Sequence, residues 1–215
     1  MKRFGLIGTM VLVTVLAFKV SVVYSSDDKP VSDEARRDFI KAFQRTGMST
    51  TPGDAMVLRI LVESRNAQRG VEVGSFTGFG AINMGIAFER TGGHLYTLEI
   101  DPEIVKTCRE NVAKMGLEKS VTCVEGDALK TLPTLDGEFD FVFIDAVKKD
   151  YFKYFTLIEP KLKPGAVIVA DNVIKSAEAM KDYLDYVQNS PNYETVIIRA
   201  SEEKGDGMAI TYKIK

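Results

Sequence analysis

The chain has 215 residues, 45% hydrophobic and 27% charged, with 28 Lys+Arg against 30 Asp+Glu. That composition fits one sizeable globular domain and excludes a disordered chain, a collagen-like repeat and a polytopic membrane protein. A formal net charge of -2 leaves no electrostatic footprint for nucleic acid, and two cysteines, Cys108 and Cys123, are too few for a disulfide-built fold.

The first residues stand apart. Met1-Lys2-Arg3 precedes an uncharged apolar run from Phe4 to Phe18; after Lys19 the chain stays apolar to Tyr24 and turns polar at Ser25. As a helix, Phe4–Tyr24 would extend about 31 Å and just span a bilayer, with Lys19 snorkelling to the interface. Residues 1–25 therefore read as a membrane anchor or a signal peptide. The anchor is favoured, because a Lys follows the apolar run and no Ala-x-Ala precedes a cleavage point. Residues 26–215 form one globular domain.

Beyond the leader, Ser32–Thr46 is an amphipathic helix with Phe39, Ile40 and Phe43 on one face. Thr51-Pro52 caps a second helix that runs to about Ser64. Short apolar runs then alternate with helical stretches. The runs are Gly70–Val73, His94–Ile100, Ser120–Val124, Phe139–Ile144 and Ala166–Ala170. The helices are Gly78–Arg90, Pro102–Met115, Asp150–Leu162 and Ser176–Asn189. Continuous apolar strands alternating with helices predict an α/β, doubly wound parallel sheet covered on both faces. Glu194–Arg199 and Met208–Ile214 have no helix between them and form an antiparallel edge hairpin.

In such sheets ligands bind beyond the carboxyl ends of the strands. The first strand ends in Glu72-Val73-Gly74-Ser75-Phe76-Thr77-Gly78-Phe79-Gly80, a glycine-rich turn that lets backbone N–H groups approach a ligand. Glu99 ends the second strand 21 residues past Gly78, where an acid can take both hydroxyls of a ribose. Asp101 is the N-cap of the helix that Pro102 opens. Asp127-Ala128, after the third strand, offers a turn on which a base ring can rest. The fourth and fifth strands end in Asp145 and in Asp171-Asn172. Two carboxylates and an amide at one sheet edge suit a hard divalent cation such as Mg²⁺; helix capping is the alternative. Lys148 can reach the same space, whereas Lys149 is surface charge.

The motifs Glu72-Val-Gly74…Gly78, Thr97-Leu-Glu99-Ile-Asp101, Phe143-Ile-Asp145-Ala-Val-Lys148 and Ala170-Asp171-Asn172-Val173 resemble the cation-dependent O-methyltransferases of the catechol and caffeoyl-coenzyme A types. The likeness runs from about Asp33 to the C-terminus. It implies a Rossmann-like methyltransferase sheet of order 3-2-1-4-5-7-6 and S-adenosylmethionine as cofactor. It places Glu72, Gly74, Ser75, Gly78 and Gly80 around the methionine end, Glu99 on the ribose, and Asp127, Ala128 and Asp145 along the rest of the cofactor. Asp145, Asp171 and Asn172 would bind Mg²⁺ or another divalent cation. Lys148 would match the catalytic lysine, with a small aromatic diol as acceptor.

This sequence departs from the family pattern in places. Gly80 stands where members commonly carry serine, so only its backbone N–H can serve. Ala146-Val147 replaces the His-Trp pair of the animal catechol enzymes and removes an aromatic wall. Glu202 or Glu203 is a candidate for the second acceptor hydroxyl, or ordinary solvated charge. Met48–Thr51 is a candidate lid, and His94 starts a strand away from the site as a structural residue. Cys108 and Cys123 read as core residues rather than a disulfide. Two other readings remain open from sequence: a nicotinamide-dependent dehydrogenase, which leaves the Asp145/Asp171 pair unexplained, and a membrane-tethered binding protein that kept the fold without catalysis. The expected partners are the acceptor, no nucleic acid, and a membrane if the leader stays uncleaved; a homodimer is left open. The domain is then membrane-anchored or exported. Lys2 and Arg3 send it across the membrane, and Lys19 and Lys29 pull the other way.

Overall fold

Two central strands set the frame. β1 (Arg69–Val73) and β4 (Phe139–Ile144) pair in parallel, and every residue of β4 is buried. The sequence of β4, Phe-Asp-Phe-Val-Phe-Ile, sends Phe141 and Phe143 into one layer and Val142 and Ile144 into the other, as the two-residue strand period requires. Asp140 is the exception. Its buried carboxylate accepts the backbone N–H of Gln68 and of Arg69 at 3.0 Å each, which fixes where β1 begins.

The computed structural model describes residues 30–200 and 203–215. The leader read over residues 1–25, and Glu202, lie outside the described residues. Val31–Lys215 forms one unit. On either side of the central pair lie β2 (His94–Glu99), β3 (Val121–Glu125), β5 (Leu162–Ala170), β6 (Tyr193–Ile198) and β7 (Met208–Lys213). The sheet order is β3-β2-β1-β4-β5-β7-β6, parallel except where β7 meets β5 and β6. This is the expected order, with the expected edge hairpin.

One layer of helices comprises α2 (Pro52–Arg65), α3 (Phe79–Thr91) and α4 (Pro102–Lys114), which bury Leu58, Val62, Ile82, Phe88 and Val112 against Phe141 and Phe143. The other comprises α6 (Tyr151–Ile158) and α7 (Lys181–Asn189), with Tyr151, Phe155 and Tyr183 packed on Val142, Ile144 and Ile168. A single turn, α5 (Ala128–Thr131), follows β3. Among the described residues no helix is long and apolar enough to cross a membrane.

Three helix boundaries differ from the sequence reading by four residues or more. α1 spans Asp33–Ala42 and stops before Phe43, which turns extended so that Phe39, Ile40 and Phe43 can pack on the α2–α3 layer. Its one buried residue is Arg36, whose guanidinium pairs with Glu89 and donates to the Met115 carbonyl at 3.1 Å. The expected helix to Leu162 ends at Ile158, because Pro160 tightens the chain into a 3₁₀ turn and Leu162 already belongs to β5. The expected helix from Ser176 begins as a 3₁₀ turn, and α7 proper starts at Lys181.

Gly74 joins β1 to the site. Its φ is +94°, and a Cβ there would lie 2.1 Å from the Asp145 carbonyl oxygen. Gly74→Ala should therefore destabilise the chain by about 2–4 kcal/mol, from left-handed strain plus overpacking. Urea denaturation measures the change, and a loss below 1 kcal/mol would show that the β1–β4 junction is not rigid.

Candidate active site

The carboxyl ends of the parallel strands open onto a cavity of about 830 Å³. Backbone bonds carry the ladder past the strand ends. Gly74 N–H donates to Leu98 O (2.9 Å), Asp145 N–H to Val73 O (2.9 Å), Asp171 N–H to Ile144 O (3.0 Å) and Gly126 N–H to Glu99 O (2.8 Å). Of the residues singled out from sequence, Gly74, Ser75, Gly80, Glu99, Asp127, Ala128, Asp145, Lys148 and Asn172 line this one cavity. Gly47–Thr50 lines it too, held to the hairpin loop by Lys204 Nζ donating to Ser49 O at 2.8 Å.

Glu72, Gly78 and Asp171 do not line the cavity wall. Glu72 is buried beneath the glycine turn and accepts the Thr97 hydroxyl at 2.5 Å. Its other oxygen sits beside Gly80, where a Cβ would come within 2.6 Å of it and 3.2 Å of Thr50 Oγ1. That packing accounts for a glycine at a position where serine is common in the resemblance. Gly78 starts α3 over Cys108.

At the end of the cavity beyond β2, Glu99 Oε2 accepts from Phe76 N–H (3.0 Å) and Oε1 from Ile100 N–H (2.9 Å). These bonds fix the carboxylate in the wall and leave lone pairs for further donors. Phe76 holds φ +46°, a strained conformation for an aromatic residue, in the same turn. Asp127 caps α5 through Leu129 N–H (3.0 Å) and still lines the cavity. Ile100, 65% exposed, and Ile104 bring apolar surface to a slot with Gly126 and Ala128. Asp101 is the N-cap of α4 as read, bonded to Glu103 N–H at 2.9 Å.

The residues that follow β4 and β5 carry charge. Lys148 Nζ donates to Asp145 Oδ1 and to Tyr151 Oη, each at 2.8 Å, and the Tyr151 hydroxyl donates to the Asp171 carbonyl at 3.1 Å. Asp171 Oδ1 accepts Asn172 N–H, while its buried Oδ2 has no partner. Burial, with the charge of Asp145 adding to it, raises the Asp171 carboxyl to about 7. Asn172 sits at φ +62°, a conformation asparagine tolerates better than most residues. Among the described residues no three His, Cys, Asp or Glu side chains gather as a metal group. The donor set is two carboxylates and an amide, and the orphaned Asp171 oxygen fits a hard cation's demand for oxygen ligands.

Two contributors escaped the sequence reading. Tyr151 lies one turn past Lys148, and that i, i+3 spacing was its signal. Asp206 looked like a loop end, yet its carboxylate accepts N–H from Gly207 (2.9 Å), Ile174 and Lys175 (3.0 Å each). Burial alone would raise that carboxyl, but these donors outweigh it and hold it below the ordinary range. Asp206 thereby pins the segment after Asn172 to the hairpin. Glu203 lines the mouth and pairs with Arg45 at 3.1 Å. His94 is structural, bonded to Thr122 Oγ1 (2.8 Å) and the Lys119 carbonyl (3.2 Å).

Comparison with known proteins converges on the same chemistry. The family model described as O-methyltransferase matches residues 22–196. A catechol O-methyltransferase of Niastella koreensis is 32% identical over 166 residues, covering 74% of this chain and 75% of that protein. A catechol O-methyltransferase of Mycobacterium tuberculosis is 34% identical over 166 residues, covering 71% and 75%. The crystal structure of the O-methyltransferase TomG from Streptomyces achromogenes, in complex with SAM, superposes with TM-score 0.76 at 26% identity, over 86% of this chain and 91% of that one.

Burial raises the Glu72 carboxyl well above its ordinary 4.5, with the Thr97 hydrogen bond working against it. The folded chain then keeps a proton that the unfolded chain releases. The stability this provides is complete below about pH 4.5 and is lost as pH rises toward the folded value. Glu72→Gln keeps the shape and removes the proton, so its stability relative to wild type should improve from about pH 5 to pH 8. Urea melts across that range test this; a constant difference would mean that Glu72 is ionised in the fold.

Proposed function

The chain belongs to the O-methyltransferase family, and on that premise we propose that it transfers a methyl group from S-adenosylmethionine to one hydroxyl of a small catechol-type or hydroxycinnamoyl-type acceptor, assisted by a divalent cation. The observation that carries the reading is one cavity lined both by Glu99 with the Gly74–Ser75 turn and by Asp145, Lys148 and Asn172. Neither a dehydrogenase nor a non-catalytic binding protein accounts for the second group.

When bound, the sulfonium cofactor supplies the methyl group, and a cation held by Asp145, Asp171 and Asn172 lowers the pKa of the acceptor hydroxyl. Glu99 takes the ribose hydroxyls, with its carboxylate already fixed by Phe76 and Ile100 N–H groups. Gly74, Ser75 and Gly80 line the methionine end, and the slot of Ile100, Ile104 and Ala128 takes the adenine. Lys148 Nζ lines the acceptor end and is the base for the acceptor's hydroxyl proton. Tyr151 holds Lys148 in place: its own proton is committed to the Asp171 carbonyl, so a lone pair faces Nζ. Apolar Ala146 and Val147 border the acceptor end.

The deciding experiment assays the purified chain with adenosylmethionine, Mg²⁺ and a panel of catechols and caffeoyl thioesters. Methylation at one of two vicinal hydroxyls is expected, abolished by chelation and restored by Mg²⁺. Undiminished turnover after chelation would sink the metal-assisted mechanism. Lys148→Ala should lower kcat by about 10²–10⁴-fold with little change in cofactor affinity. Tyr151→Phe should lower kcat by a smaller factor and leave the cofactor KM unchanged. If Lys148→Ala turns over normally, the base lies elsewhere.

A further inference from the structure

The sequence places Cys108 and Cys123 fifteen positions apart, and the fold brings their sulfurs to 3.4 Å as free thiols. Cys108, on α4, is fully buried; Cys123, on β3, is partly exposed. α4 packs on β3, so the two sulfurs meet across a helix–sheet interface directly beneath the glycine turn.

Their chemistry is unequal. The hydrogen bond with Cys123, together with burial, pushes the Cys108 thiol far up. The same bond draws the Cys123 thiol down, and the Arg109 guanidinium, which donates to the Cys123 carbonyl at 3.2 Å, favours its thiolate as well. Cys123, partly exposed, is therefore the more accessible nucleophile and Cys108 the buried partner that can resolve a mixed disulfide.

Cys108 also supports the cavity. A Cβ at Gly78 would lie 2.9 Å from its Sγ. One turn further along α4, Asn111 Nδ2 donates to the Thr77 carbonyl at 3.0 Å. Closing the sulfur separation from 3.4 Å to a covalent bond of about 2 Å tightens α4 against β3 beneath this turn, and the turn that packs on Cys108 must adjust.

We propose that Cys108 and Cys123 are a modification site, a dithiol that exchanges with small-molecule disulfides to form an internal bond, and that this bond weakens cofactor binding at the Ser75–Gly78 turn. Cys123 Sγ attacks one sulfur of the small disulfide, whose S–S bond breaks and releases one thiolate that takes up a proton. Cys108 then gives up its proton, and its sulfur attacks Cys123 Sγ and expels the second thiol. Two protein thiols are oxidised, and one small disulfide is reduced to two thiols. The coupling rests on the proposed function, because it takes the turn as the cofactor's seat; the exchange itself does not.

The test incubates the full chain with oxidised glutathione, alkylates remaining thiols and reads intact mass beside adenosylmethionine affinity by calorimetry. A loss of two hydrogens with no retained glutathione is expected, reversed by dithiothreitol. The Kd for adenosylmethionine should rise about fivefold or more on oxidation and return on reduction. Cys108→Ser should trap one glutathione on Cys123, and Cys123→Ser should take up none. A folded wild-type chain that keeps two free thiols, retains glutathione or forms only intermolecular disulfides overturns the dithiol. An internal bond with unchanged Kd overturns the coupling. A reduced chain that binds no adenosylmethionine overturns the coupling and the proposed function together, while the mass result still decides the dithiol.

Discussion

The site depends on a row of backbone hydrogen bonds just past the ends of the parallel strands. Leu98, Val73 and Ile144 each give a carbonyl to the residue that leaves the neighbouring strand, so Gly74, Asp145 and Asp171 are held in step. Side chains that end different strands thereby share one edge at fixed spacing. A ladder bond is modest in net free energy, but breaking one here leaves a buried backbone group unpaired as well as a side chain misplaced. The near-contact of Gly74 with the Asp145 carbonyl follows from the same row, since the two strands have no room to part.

Electrostatics then divides the cavity. Burial works against ionisation of Glu72, Asp171 and Asp54, while Asp206 is stabilised as an anion by three backbone N–H groups. Lys148 is the cation that answers Asp145, and Tyr151 links that pair to the Asp171 backbone. Among the described residues, Asp171 Oδ2 is the fully buried carboxylate oxygen without a hydrogen-bond partner. A network with one open acceptor is costly when left so and well suited to receiving a ligand.

Much of this was legible in the sequence, and the exceptions have physical causes. Apolar runs such as Phe139–Ile144 and Ala166–Ala170 revealed the sheet because strands buried on both faces cannot alternate. Residues at strand ends, Glu99, Asp145, Asn172, were found because parallel topology sends them to one edge. β5 read short because Pro164 and Gly165 resemble a loop; the strand absorbs them where the register to β4 shifts between Phe139 and Phe141. Arg36 and Asp140 were passed over because a buried charge looks solvated until its distant partners are known. Tyr151 and Asp206 act through backbone groups of other segments, which no local pattern displays. Glu72 was recognised within its motif, but its place under the turn depends on Thr97, Gly80 and Thr50 together.

The same row of strand-end bonds makes the site a late product of folding. Its members come from positions 73, 98, 144 and 171, so each bond closes a loop of tens of residues, and none can form before its strands have found one another. No local hairpin or helix pair carries a partial version of the cavity. Ligand binding and global folding are consequently one cooperative unit: a ligand of this cavity stabilises the entire sheet, and a chain that has lost any central strand has lost the whole binding surface rather than a share of it.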